Sequence, residues 1–169
     1  QLCSSGGGRL DFGALKYHDE VWASDITNSL SRIFIQYGTN MFFPAIATGA
    51  HVSISPNHQT KMHASLKYRF DVAMAGRLGM ELQPEDLQGD ERVFAKNAIE
   101  TYKQIRPIVQ FGDLYRLVSP YDEGGWAASM YVDKDKKNAV VFAYSFEFHG
   151  RDCFLEFKLD GLDEKKKYK

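Results

Sequence analysis

Few residues of this 169-residue chain are of types and spacings that could carry chemistry. Ser5-Gly6-Gly7-Gly8-Arg9 is the first group. Successive glycines let backbone N–H groups approach a ligand closely and adopt positive φ. The run lacks the Gly-Lys-Ser/Thr ending and the strand–helix context of phosphate-binding loops, so by itself it reads as a flexible turn. Asp25 is the second. It stands where a short strand hands over to a helix, and a carboxyl group there could give a proton to a leaving group. It could equally cap the helix, and local pattern alone favours the cap. His51 and His58 each follow a strand end, but neither has the partners of a Ser-His-Asp or metal set. Cys3 has no His/Asn arrangement to make it a nucleophile. Trp22 and Trp126 could stack on a sugar face, with core packing as the plain alternative.

The elements that must hold these residues change character near Ser119-Pro120. Before that point, short apolar runs alternate with helical patterns. Val21-Trp22-Ala23 reads as a strand ending at Ser24-Asp25. Leu30, Ile33, Phe34 and Tyr37 then recur at helical spacing, with Thr27 or Asn28 as cap and Gly38 as stop. Met41 to Val52 reads as a buried strand and its exit loop, and Pro56 to Thr60 as a loop. A helix is expected over 63–73 and a strand over 78–82. Pro84-Glu85-Asp86 suits a first helical turn, and from Asp90 the residues Phe94, Ala98, Tyr102 and Ile105 keep helical spacing until Pro107. Strand and helix in alternation predict right-handed βα units around a parallel sheet. Four such units cannot close a sheet alone, and half of an eight-unit barrel fits the count.

Beyond Pro120 the period becomes two. Trp126, Ala128, Met130 and Val132 alternate with Ala127, Ser129 and Tyr131. Residues 133–138 form a polar turn, 139–148 a second alternating strand, and Cys153, Leu155, Phe157 and Leu159 mark a third. These predict antiparallel strands covered on one face, the start of a β-sandwich. The fold expected is therefore α/β: the second half of a (β/α)8 barrel over 1–118, then a truncated antiparallel β-sandwich domain over 119–169.

Composition narrows the function. Twenty-one Lys and Arg balance 22 Asp and Glu, a net charge of −1, which leaves no basic excess for nucleic-acid binding. No apolar run approaches the ~18 residues of a membrane span. Two cysteines, Cys3 and Cys153, make no disulfide framework, and five scattered histidines show no metal-ligand spacing. Neither metal nor cofactor is expected. Hydrophobic residues at 44% suffice for a core. The opening at Gln1 and the tail from Gly161, a turn with no strand after it, suggest a piece of a longer protein.

Several ordered segments resemble the bacterial α-galactosidases of glycoside hydrolase family 36. They are Cys3-Ser4-Ser5-Gly6-Gly7-Gly8-Arg9-Leu10-Asp11, Trp22-Ala23-Ser24-Asp25-Ile26-Thr27, Ile35-Gln36-Tyr37-Gly38, Gly49-Ala50-His51-Val52-Ser53 and Pro56-Asn57-His58-Gln59. The later Asp71 to Gly76, Gly79 to Leu82 and Gly112 to Leu117 continue the match. The resemblance implies an N-terminal β-supersandwich, a central (β/α)8 barrel and a C-terminal β-sandwich. It implies retaining hydrolysis of terminal α-1,6-linked galactose from melibiose- and raffinose-type galactosides, by an enzyme without cofactor that is a homo-oligomer and most commonly cytoplasmic. It puts the acid/base role on Asp25 and contacts to galactose on Cys3, Gly6 and Asp25. The nucleophile would be an Asp on an earlier barrel strand, upstream of Gln1, so residues 1–169 alone are expected to be inactive. As an open half-barrel they are also expected to expose sheet edges and apolar faces and to self-associate. The family usually has an acid or amide where this chain has Ile26 and an acid where it has Asn28, which bears on the leaving-group side of the pocket. An α-N-acetylgalactosaminidase specificity, a non-catalytic carbohydrate-binding or assembly module, and a phosphate-binding βα protein are the alternative readings.

Overall fold

The computed structural model describes residues 1–3, 7–147 and 156–168. Four parallel strands come first: β1 (Leu2–Cys3), β2 (Val21–Trp22), β3 (Gly49–Ser53) and β4 (Arg77–Glu81). β1 pairs with β2 and β3 with β4, and a bridge between Val21 and Thr48 joins the two pairs in the order β1-β2-β3-β4. Helices α1 (Ser29–Thr39), α2 (Leu66–Ala73) and α3 (Asp90–Phe111) follow β2, β3 and β4. This is half of a (β/α)8 barrel. An antiparallel sheet follows, with β5 (Asp113–Val118), β6 (Trp126–Val132) and β7 (Ala139–Ser145) in sequential order.

Side-chain alternation gives the parallel sheet two unlike faces. Ala50, Val52 and Leu78 turn outward and join a core with Ile33 of α1, Phe70 of α2 and Ala95, Ala98, Tyr102 and Val109 of α3. The registers Cys3↔Trp22, His51↔Gly79 and Ser53↔Glu81 put those residues on the other, inward face. That face is polar rather than apolar. Glu20 pairs with Arg77 at 2.8 Å, and His51 Nδ1 lies 3.7 Å from Glu81. The large exposed apolar side chains sit mainly off it, as at Phe12, Tyr17 and Phe42.

The antiparallel sheet packs onto the same core through Ala127, Tyr131, Phe142 and Tyr144. Tyr131 donates its hydroxyl to the carbonyl of Ala75 at 2.8 Å, and Tyr144 to that of Asp71 at 3.1 Å. β5 pairs antiparallel with β6, so residues 113–118, grouped with the barrel on sequence, lie in the antiparallel sheet.

Several boundaries differ from the sequence expectation for definite reasons. Gly38 lies inside α1, and Asn40 is the C-cap. Met41 to Ala47 is not strand: Pro44 opens a 3-10 turn, Met41 and Phe42 are exposed, and pairing begins with the Thr48 bridge, just ahead of β3 at Gly49. α2 starts at Leu66, not His63, because the Ser65 hydroxyl accepts from Tyr68 N–H as its cap. α3 runs through Pro107 to Phe111. Burial of Val109 and packing of Ile105 and Ile108 against the core outweigh the one backbone bond that Pro107 removes. β7 ends at Ser145, and Phe148 and Cys153 lie outside the described residues. Residues 156–159, placed in a third strand on sequence, form no strand.

Candidate active site

Cys3 and Trp22 close neighbouring parallel strands, so the loops that follow them emerge together at the carboxyl end of the sheet. Active sites of α/β barrels are built on this side. Asp25, three residues beyond Trp22, is exposed, and its Oδ1 lies 3.9 Å from the Cys3 Sγ, a weak donor. The cap of α1 is not Asp25. Asn28 takes that place, accepting from Ser31 N–H at 2.9 Å, with extended φ and ψ. Among the described residues, the carboxylate of Asp25 is thus not engaged by the helix and stands exposed, beside the Cys3 thiol, at the carboxyl end of the sheet.

The chain that leaves Asp25 is held by its neighbours. Gln59, in the loop after β3, donates through Nε2 to the carbonyl of Asp25 at 2.9 Å and accepts through Oε1 from Thr27 N–H at 3.4 Å. Buried Asn57 donates to the Thr27 hydroxyl at 2.9 Å, and Ser53 Oγ donates to the Thr27 carbonyl at 2.9 Å. The Asn57 Oδ1 also accepts from the backbone of Gln59 and Thr60, which shapes the turn that presents Gln59.

From beneath, Arg32 of α1 is 1% exposed and donates to the carbonyls of Ser24 at 3.2 Å and Gly49 at 3.0 Å. Its guanidinium sits 4.4 Å from the Trp22 ring centroid, and Trp22 stacks on His51 at 4.2 Å. Gly79 makes room for this imidazole, since a Cβ there would meet His51 Cδ2 at 2.5 Å. Burial pushes the Arg32 guanidinium down to about 10, partly offset by Glu81, so it stays charged at neutral pH. Burial also lowers the His51 pKa, again opposed by Glu81.

The glycine loop reaches the same place. Gly7, at φ +91°, packs so tightly on β2's exit that a Cβ would lie 1.9 Å from the Ala23 carbonyl oxygen. Gly6 lies outside the described residues. The structure therefore brings together Cys3, Asp25, Gly7, Trp22 and His51. His58 is exposed in the turn beside Gln59, and Trp126 belongs to β6 of the antiparallel sheet. Trp22 is 6% exposed and sandwiched between Arg32 and His51, which makes it packing rather than a sugar platform. Gln59, Asn57 and Arg32 were not singled out as functional on sequence. The signal available was a buried-face Arg in a helix and amide side chains clustered in the Pro56–Thr60 turn. Among the described residues, no group of three His, Cys, Asp or Glu could hold a metal, and no helix is long and apolar enough to cross a membrane.

Comparison with known proteins agrees with this architecture. Residues 1–112 match the Melibiase family and residues 126–169 the glycosyl hydrolase family 36 C-terminal domain. Alpha-galactosidase AgaA of Geobacillus stearothermophilus is 44% identical over 168 residues, 99% of this chain and 23% of the relative. Alpha-galactosidase 2 of Hypocrea jecorina is 39% identical over 99% of the chain and 22% of the relative. The crystal structure of an AgaA variant with 1-deoxygalactonojirimycin superposes at a TM-score of 0.91 and 43% identity, covering 95% of this chain and 22% of that one. The chain thus spans less than a quarter of the length of these relatives. The parallel half-barrel, the polar inward face and a family match over about two thirds of the residues lead to one assignment: the chain belongs to the Melibiase family.

Proposed function

We propose that these residues are the acid/base-bearing part of a retaining exo-α-galactosidase acting on terminal α-1,6-linked galactose in melibiose- and raffinose-type oligosaccharides. The observation that carries the reading is the placement of Asp25: exposed at the carboxyl end of β2, beside Cys3, with the helix cap supplied by Asn28 instead. Relatives named alpha-galactosidases, and AgaA variants in complex with raffinose and with stachyose, support the substrate class.

In this mechanism two carboxyl groups lie about 5 Å apart across the glycosidic bond. Asp25 protonates the departing oxygen while the other carboxylate attacks the anomeric carbon. Asp25 then takes a proton from the water that opens the galactosyl-enzyme. Glu20 and Glu81, acids of the inward face, are engaged with Arg77 and His51. The resemblance to family 36 puts the attacking carboxylate on an earlier barrel strand, upstream of Gln1, so residues 1–169 alone are expected to be inactive. Cys3 and Gly7 stand on one side of Asp25, and the resemblance puts contacts to galactose on Cys3 and Gly6. Ile26 is exposed next to Asp25, whereas Asn28 is buried as the cap of α1, so of the two departures from the family pattern Ile26 is the one placed to meet a leaving group. The catalytic barrel part runs to the end of α3, and the C-terminal domain begins with β5.

The test is Asp25→Ala in the full-length enzyme. On raffinose, kcat/KM should fall about 10²- to 10⁴-fold. It should change little for an aryl α-galactoside with a strongly acidic phenol, and azide should restore turnover. An unchanged rate on raffinose would remove the assignment.

A further inference from the structure

We propose that Gln59 is a positioning residue for proton donation: its amide ties down the backbone that leaves Asp25, bonding the carbonyl of residue 25 and the N–H of residue 27, and so sets where the carboxyl group sits. The proposal rests on the acid/base reading of Asp25.

Among the described residues, the carboxylate of Asp25 has little to fix it. It is exposed, and the thiol of Cys3 is its hydrogen-bond neighbour, at 3.9 Å. A general acid, by contrast, must stand within hydrogen-bond reach of the oxygen it protonates. Misplacement by about 1 Å costs on the order of 10²-fold in rate. The required order must therefore come from the backbone.

Gln59 supplies it with a single planar group. Nε2 donates to the carbonyl of residue 25 and Oε1 accepts from the amide of residue 27, so one side chain bridges the loop as a neighbouring strand would. The clamp is itself prebuilt. Asn57 is 3% exposed, bonds Thr27 through Nδ2, and holds the backbone N–H of Gln59 at 3.1 Å through Oδ1. The Gln59 side chain is exposed at the rim, where water can replace its two bonds. Its loss therefore leaves the fold in place and loosens only the donor loop, a combination that separates a positioning role from a structural one.

The experiment uses the full-length enzyme with Gln59→Met, which keeps length but has neither donor nor carbonyl acceptor, and with Gln59→Glu, which keeps an acceptor for Thr27 and loses the donor to Asp25. Asp25→Ala is measured in parallel. For Gln59→Met, kcat/KM on raffinose should fall about 10- to 100-fold. On an aryl α-galactoside with a strongly acidic phenol it should stay within about threefold, because bond cleavage there needs no proton. Gln59→Glu should show the same contrast to a smaller degree, and it carries the test if the Met variant does not fold. Equal losses on both substrates, or no loss on raffinose, would overturn the proposal. If Asp25→Ala itself shows no dependence on the leaving group, the acid/base reading fails first and the role of Gln59 falls with it.

Discussion

The thiol of Cys3 and the carboxylate of Asp25 lie 3.9 Å apart although 22 residues separate them in the chain. The contact exists because β1 and β2 are parallel neighbours with Cys3 opposite Trp22. Parallel pairing brings two carboxyl-terminal exits side by side, and it makes two unrelated sequence segments neighbours at one end of the sheet.

Cys3 should make the enzyme sensitive to thiol reagents. The side chain is exposed, so a small reagent such as methyl methanethiosulfonate can reach it. An adduct there would fill the space beside Asp25. Activity of the full-length enzyme should fall on treatment and be protected by galactose. Cys3→Ser should remain active and resist the reagent. Equal inactivation of Cys3→Ser would locate the sensitive thiol elsewhere.

Gly7→Ala should damage the site more than a one-methyl change suggests. At φ +91° a non-glycine residue is strained by on the order of 1–3 kcal/mol. The new methyl would also collide with the Ala23 carbonyl oxygen, a backbone atom that cannot rotate away. The glycine loop must then lift from the end of β2, which carries the chain into Asp25. The expected result is a lower unfolding temperature together with a loss of kcat/KM well beyond threefold. Wild-type values of both would mean that the loop can relax freely.

How far the sequence reveals this molecule depends on the range of the forces involved. α1 is legible as a helix because Leu30, Ile33, Phe34 and Tyr37 recur at helical spacing, yet the residues it buries are Ser29, Arg32, Ile33 and Gln36, three of them polar. β7 alternates in burial as read, whereas β6 is covered on both faces. β1 and β2 are two residues long, too short for any period, and only the βα rhythm around them hints at a parallel sheet. Pro107 misleads because packing of the last turn of α3 overrides a local preference. Whether Asp25, Thr27 or Asn28 caps α1 cannot be decided from cap formers within one turn of each other, since all three fit the rule. The Gln59 contact spans 34 residues and two backbone groups, which are invisible in side-chain chemistry. The resemblance to family 36 picks out Asp25 and Cys3, but nothing local in the sequence picks out the residues that hold them.

Arg32 is the test of that hidden support. Its two Nη atoms reach the carbonyl of Ser24, in the loop after β2, and that of Gly49, the first residue of β3, with Trp22 against its face. Lysine offers one compact charge and cannot span both. Arg32→Lys and Arg32→Met should each lower stability, at about 1–3 kcal/mol for every carbonyl left without a partner. Urea denaturation of the full-length protein should show a lower midpoint for both. A near-native midpoint for Arg32→Lys would mean that one cation suffices and that the forked geometry is incidental.

Acid should weaken the inward face through His51. Burial against Trp22 lowers its pKa below the ordinary 6.5, with Glu81 and Glu20 opposing the shift and Arg32 reinforcing it. The folded form therefore binds fewer protons at this site than the unfolded chain. Stability rises with pH wherever the unfolded state holds more protons. The contribution of His51 is accordingly greatest above pH 6.5 and is lost as pH falls from 6.5 through the lowered folded value. Unfolding midpoints of the full-length protein measured across this range should decline toward acid. His51→Gln, which cannot take up a proton, should decline less over the same interval. Parallel curves for the two proteins would show that Glu81, 3.7 Å from Nδ1, stabilises the imidazolium enough to cancel the cost of its burial.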